Sequence, residues 1–112
     1  MIQYYAMPGL KYRERLPARP DRVEGVINDI AEYFNVTAAA IAVRTRKRKI
    51  VDIRSIAIHF LRIKLHLTLR EIGDRFSLDH TSVIWSLKRC KNLIDTDDLF
   101  ARRVQDIYNI VY

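Results

Sequence analysis

The sequence predicts an all-α fold of about six helices. Three observations carry that prediction. Beyond residue 20, apolar residues recur at spacings of three and four, the signature of one buried helix face. No segment shows the strict apolar–polar alternation of a half-buried strand. All three prolines (Pro8, Pro17, Pro20) lie within the first twenty residues, which separates an irregular arm from a helical remainder. At 112 residues and 49% apolar, the chain has the size and composition of one globular domain. Its expected bounds are residues 21–112, after an arm over 1–20 that carries Tyr4, Tyr5 and Tyr12.

The elements follow in order. Over residues 21–35, Val23, Val26, Ile27, Ile30, Ala31 and Phe34 fall on one stripe. Asp21 is placed to cap that helix, and Asn35 to end it, because Asn tolerates the left-handed conformation. "TAAAIAV", 37–43, predicts a short helix capped by Thr37. After the basic run "RTRKRK", 44–49, a long helix is expected from about 49 to 65. Ile50, Ile53, Ile56, Ala57, Phe60, Leu61 and the stem of Lys64 share its inner face. Arg54 and Arg62, eight residues apart, project in roughly one direction from it.

Thr68 and Glu71 form a capping-box pattern that starts a short helix with Ile72 and Phe76 inward. Gly73, inside that helix, costs about 1 kcal/mol against Ala; a close approach by another helix would account for it. "SL" makes a turn plugged by Leu78. Asp79 then caps a helix of some fifteen residues with Val83, Leu87, Cys90 and Ile94 inward. A last helix over about 97–111 has Asp97 and Asp98 at its positive end, with Val104, Ile107, Tyr108 and Val111 facing in.

Several function classes are disfavoured. No apolar run approaches the ~20 residues that span a bilayer, and the Tyr- and Arg-rich start lacks a secretory apolar region. Cys90, the single cysteine, cannot form an internal disulfide; it fits a reducing cytoplasm and is expected to pack. One Cys and three scattered His (His59, His66, His80) argue against a metal site, and no nucleophile–base or carboxylate pair suggests an enzyme.

Charge is informative. The net charge is +7, and residues 44–75, with ten basic and three acidic side chains, hold the entire excess; the segments on either side are each neutral. Charge confined this way points to an anionic partner. The segment lacks an adjacent apolar face with aromatic anchors, which disfavours a membrane surface.

The stretch 68–94 has the features of a helix-turn-helix, whose second helix enters the DNA major groove with its first residues nearest the bases. "DHTS", 79–82, stands at that front. Asp79 can accept from a cytosine amino group, Thr81 offers a hydroxyl and a methyl, and His80 can donate or accept. Ser82 and the exposed amides suit a phosphate. Asp, Thr and Ser at a helix start are also ordinary caps, and Arg44, Arg46, Lys47, Arg48 and Lys49 could be only a solvated loop. The coincidence of this helix front with the charge block favours DNA.

"RKRKIVDIRSIAIHFLRIKLHLTLREIGDRFSLDHTSVIWSLKRC", 46–90, resembles the C-terminal DNA-binding domain of the bacterial replication initiator DnaA, a helix-turn-helix of Trp-repressor-like type. That family shows a basic loop, a long helix, "LxEIGxxF" and then "GGRDHTTV". The likeness runs from about Gly25 through the last helix, and "AEYFNV", 31–36, matches the connecting helix. The resemblance implies that Arg46 enters the minor groove and that Asp79, His80 and Thr81 read bases. It implies that Arg54, Arg62 and Ser82 hold phosphates, with Leu69 and Arg70 at the groove edge. Arg44, Lys47, Arg48 and Ser77 join this phosphate or groove-edge set.

Three departures matter. "SL" replaces "GGR", so the turn is one residue shorter and a backbone-touching arginine is lost. Trp85 lies off the inner stripe; it is expected to pack against a neighbouring helix, with a place beside the DNA as the alternative. No "GxxxxGK[ST]" occurs, so no nucleotide is expected to bind.

The expectation is therefore a stand-alone, non-enzymatic, cofactor-free reader of double-stranded DNA. It would act as a monomer at replication-initiator-type sites, in the bacterial cytoplasm with the nucleoid. A transcription repressor of the same fold and a protein-interaction module using the arm are the alternatives.

Overall fold

The computed structural model describes residues 20–43 and 45–112. The arm expected over residues 1–20 therefore lies, apart from Pro20, outside the described residues, and so does Arg44. Six helices follow one another: α1 (Pro20–Tyr33), α2 (Ala38–Ala42), α3 (Arg48–Leu65), α4 (Leu69–Phe76), α5 (His80–Thr96) and α6 (Asp98–Val111). No strand occurs among the described residues.

Local chemistry sets most of the boundaries. α1 starts at Pro20, one residue before the expected cap, so Asp21 sits in its first turn, where a carboxylate suits the positive helix end. At the other end Asn35 adopts φ 57°. The Asn35 amide donates to the Glu32 carbonyl and the Val36 amide to that of Ala31, the paired bonds of a Schellman stop. Thr37 caps α2 by accepting from the Ala40 amide at 3.1 Å. The capping box at α4 is complete. Glu71 N–H donates to Thr68 Oγ1 at 3.1 Å, and Thr68 N–H donates to Glu71 Oε1 at 2.8 Å.

α3 is the axis of the molecule, packed by α1, α2, α4 and α5. Ile53, Ile56, Ala57, Phe60 and Leu61 of its expected face are buried, with Ile50 and Lys64 half-buried, but Ser55 and Ile58, which lie off that stripe, are buried too. A helix flanked on several sides buries more than one face, and periodicity alone reads only one. α6 departs from expectation at Tyr108. The buried stripe is Phe100, Val104 and Ile107, while Tyr108 is 44% exposed and stacks on Tyr112 with ring centroids 4.3 Å apart. Lys64 sets its ammonium 4.5 Å from the Tyr112 ring, covering its stem.

Gly73 has the role its position suggested. A Cβ built there would lie 2.6 Å from the Leu78 carbonyl oxygen and 3.6 Å from a Val83 methyl. The Leu78 amide donates back to the Gly73 carbonyl at 2.9 Å. The turn after α4, with Ser77 at φ 56°, therefore closes directly against the helix, and this contact sets the pose of α5.

Candidate nucleic-acid interface

The basic loop is held in place by α3 itself. Arg54 is only 9% exposed. Its Nε donates to the Ile41 carbonyl at 2.8 Å, and its Nη2 donates to that of Val43. These carbonyls lie in the last turn and at the C-cap of α2, where helical partners run out and a cation is favoured. Burial lowers the Arg54 pKa from its ordinary value. Within the loop, Thr45 Oγ1 accepts from the Lys47 amide at 3.2 Å. Two of Arg54's nitrogens are thus committed to the protein backbone, which makes it a holder of the loop.

The start of α3 is electrostatically unusual. Lys47 gives no side-chain cap, and the first turn carries Arg48 and Lys49 with no acidic residue. Cations at the positive end of a helix are unfavourable by roughly 0.3–1 kcal/mol each. An anion against those amides and side chains would offset that cost.

The front of α5 is built by Asp79, whose carboxylate accepts from the Ser82 amide at 2.7 Å. Asp79, His80 and Thr81 are exposed, and Ser82 is half-buried. Val83 behind them is fully buried and anchors the helix to the core.

These two regions converge. A concave surface of about 1010 Å³ has Thr45, Arg46 and Arg48 on one wall and Thr81, Ser82 and Trp85 on the other, with Arg54 between them. Trp85 corrects an expectation: among the described residues it does not pack against a neighbouring helix but is 54% exposed in this groove. Arg89 lies with its guanidinium carbon 5.5 Å from the indole ring. Asp52 Oδ1 holds Arg89 in turn, accepting from Nε at 2.9 Å and from Nη2 at 2.8 Å. Arg89 and Thr45 are groove residues that sequence reasoning missed. Arg89 follows Thr81 by eight residues and Trp85 by four, a helical-face signal that could have found it.

Other expected site residues lie outside this concavity. Lys47 is exposed in the loop, and Arg70 is exposed on α4. Arg62 is exposed near the end of α3, where its Nη1 donates to the Leu67 carbonyl at 2.7 Å. Leu69 is half-buried against the core. Ser77 occupies the left-handed stop of α4. Arg75, counted in the basic surplus, is neutralised by Glu24, with Nε to Oε2 at 2.6 Å and Nη2 to Oε1 at 2.8 Å. That hydrogen bond holds the Glu24 pKa down and raises that of Arg75.

Among the described residues no cluster of three metal-ligating side chains occurs, and no helix is long and apolar enough to cross a membrane. Cys90 is fully buried, and burial, with the Asp52 charge second, pushes its pKa up to about 12. It packs as a thiol.

Residues 23–90 match the family model described as the bacterial dnaA protein helix-turn-helix. The chain is similar to the chromosomal replication initiator protein DnaA of Thermoanaerobacter sp. (strain X514), with 29% identity over 85 residues, 76% of this chain and 19% of that protein. It is similar to the chromosomal replication initiator protein DnaA 1 of Chlamydia pneumoniae, with 37% identity over 70 residues, 62% of this chain and 15% of that protein. The DnaA of Wolbachia sp. subsp. Brugia malayi (strain TRS) is 35% identical over 79 residues, 70% of this chain and 17% of that protein. The chain thus spans less than a fifth of the length of these curated relatives.

Proposed function

The chain belongs to the bacterial DnaA helix-turn-helix family, and on that premise we propose that it binds double-stranded DNA sequence-specifically. The observation that carries this reading is the shared groove, with cationic Arg46 and Arg48 facing the exposed front of α5. A recognition helix in the major groove brings its first residues to base edges. A cationic loop beside it then lies over the neighbouring backbone and minor groove, where width and negative potential attract arginine.

In this reading Asp79, His80 and Thr81 meet bases and Arg46 enters the minor groove. Arg44, Lys47, Arg48, Arg62, Arg70, Ser77 and Ser82 hold phosphates or the groove edge beside Leu69. Arg54 contributes by fixing the loop. The like-signed start of α3 supports a phosphate there, because that contact relieves an unfavourable arrangement already present in the free protein.

The biological use we favour is a regulator or replication accessory at initiator-type sites, acting as a monomer, with these 112 residues reading DNA and hydrolysing no nucleotide. Competition binding at fixed salt tests the specificity. A duplex bearing an initiator-type site should displace a labelled copy far better than scrambled duplex. Equal competition by every sequence would reduce the function to nonspecific binding. Mapping bound sites on the host genome separates the uses: origin-like clusters support the replication role, and promoters support a repressor.

A further inference from the structure

Trp85 is a large apolar side chain left half in water in a groove whose other walls are mainly cations and hydroxyls, with Val51 and Leu78 among them. It follows Thr81 by four residues, so it stands one turn further along the same face of α5, about 6 Å away. It is also braced: Arg89 lies beside the ring, and Asp52 holds Arg89. A side chain positioned before binding loses little rotamer freedom on binding, which is where aromatic and arginine anchors gain most.

We propose that Trp85 is a specificity-determining contact that meets the C5-methyl edge of thymine in the major groove. The inference rests on the double-stranded DNA reading above and names a contact within it. The chemistry is selective. An indole has one N–H donor and a broad apolar body, so it cannot match the donor–acceptor pattern of a base pair as a forked side chain does. The one apolar group that distinguishes a base in the major groove is the thymine methyl. Phosphates are better served by the cations along the rim. A Trp at this point therefore favours a thymine one turn of helix beyond whatever Thr81 reads.

The test uses the whole chain and a duplex selected with it from a random pool, end-labelled so that anisotropy reports binding independently. Trp85 is the chain's one tryptophan, so emission excited at the red edge, beyond the absorption of the six tyrosines, reports this side chain alone. On titration with the selected duplex, the emission should change and saturate together with the anisotropy, and quenching by acrylamide should fall about twofold or more. Thymines are then replaced singly by uracil, which removes only the methyl. Wild-type protein should lose roughly fourfold in affinity at a thymine facing Trp85, the worth of one buried methyl. Trp85→Ala should abolish that penalty while keeping the penalties at other thymines, and Trp85→Phe should retain part of it.

Anisotropy without any change in emission or acrylamide access would overturn the proposal. So would a Trp85→Ala protein whose uracil penalties equal wild type at every position, or a change in emission with no uracil penalty anywhere, which would place the indole against the sugar–phosphate edge. Absence of selective anisotropy with any duplex would instead sink the DNA reading on which the proposal rests.

Discussion

Two regions of the molecule treat their cations in opposite ways. Between α1 and α4, Arg75 is forked onto Glu24, so its charge is spent inside the protein. In the loop and first turn of α3, Arg46, Lys47, Arg48 and Lys49 make no ion pair among the described residues, although Asp52 lies only one turn beyond Arg48 and is taken by Arg89. The difference teaches that a segment's net charge overstates what a ligand can use. Of the ten basic residues in 44–75, Arg75 is paired and Arg54 is buried on carbonyls. Lys64 lies over the Tyr112 ring, and Lys47, Arg62 and Arg70 stand outside the groove, so Arg46 and Arg48 are the loop cations set beside the front of α5.

The most severe way to break the contrast is to move α5 away from the loop. Gly73→Ala forces a Cβ against the Leu78 carbonyl at 2.6 Å. Overpacking of this kind should destabilise the protein by about 2–3 kcal/mol in a denaturant melt and abolish selective binding. Arg54→Ala comes next. Leaving the Ile41 and Val43 carbonyls without their donor should cost about 1–3 kcal/mol of stability and weaken DNA binding through a loosened loop. Arg54→Lys sharpens the point. A phosphate role would survive the exchange, whereas a forked hold on two carbonyls would not, so melting temperature and affinity should both fall.

Arg46→Ala and Thr81→Ala act on the groove without touching the core. Each should reduce discrimination between selected and scrambled duplex by about 1–3 kcal/mol while leaving the melt unchanged. Arg62→Ala should weaken all duplexes alike and make the log–log salt slope shallower by about 1, from a starting value of about −5 to −6 for five to seven phosphate contacts.

The paired region supplies the smallest effect. Arg75→Ala should cost at most about 1 kcal/mol, since Glu24 and Arg75 are only partly buried, and DNA affinity should not change. The pH dependence carries a definite sign. Glu24 has a depressed pKa in the folded state, so its contribution is present at neutral pH and is lost in acid as the pH falls through the folded value. Titrating stability should show that loss in wild type and not in Arg75→Ala.

Much of the fold was legible because local chemistry determines it. The α1 stripe, the Asn35 stop, the Thr37 cap and the Thr68–Glu71 box each depend on residues within a turn or two of one another. The Gly73 contact was legible as well, since a helix interior keeps a costly glycine for a steric reason. What escaped depends on neighbours distant in sequence. Ile58 and Ser55 are buried because other helices cover those sides of α3. Tyr108 faces out because Val104 and Ile107 already fill the seam. At the site, the approach of the loop to the front of α5 was expected from the charge block, and the shared groove has that arrangement. Arg54 was given a phosphate by the family resemblance and a direction by its spacing from Arg62, but neither says whether a guanidinium ends in solvent or on a carbonyl. Trp85 was expected against a neighbouring helix, yet among the described residues it stays half exposed in the groove, with Arg89 beside its ring.

Dimethyl sulfate probing of the selected duplex tests most directly whether loop and helix act on one DNA, because it methylates guanine N7 in the major groove and adenine N3 in the minor groove. The wild-type protein should protect major-groove positions and, within the same half-turn, minor-groove positions, and Arg46→Ala should lose the minor-groove set alone. Major-groove protection with no adjacent minor-groove protection, or a pattern that Arg46→Ala leaves intact, would contradict a joint site.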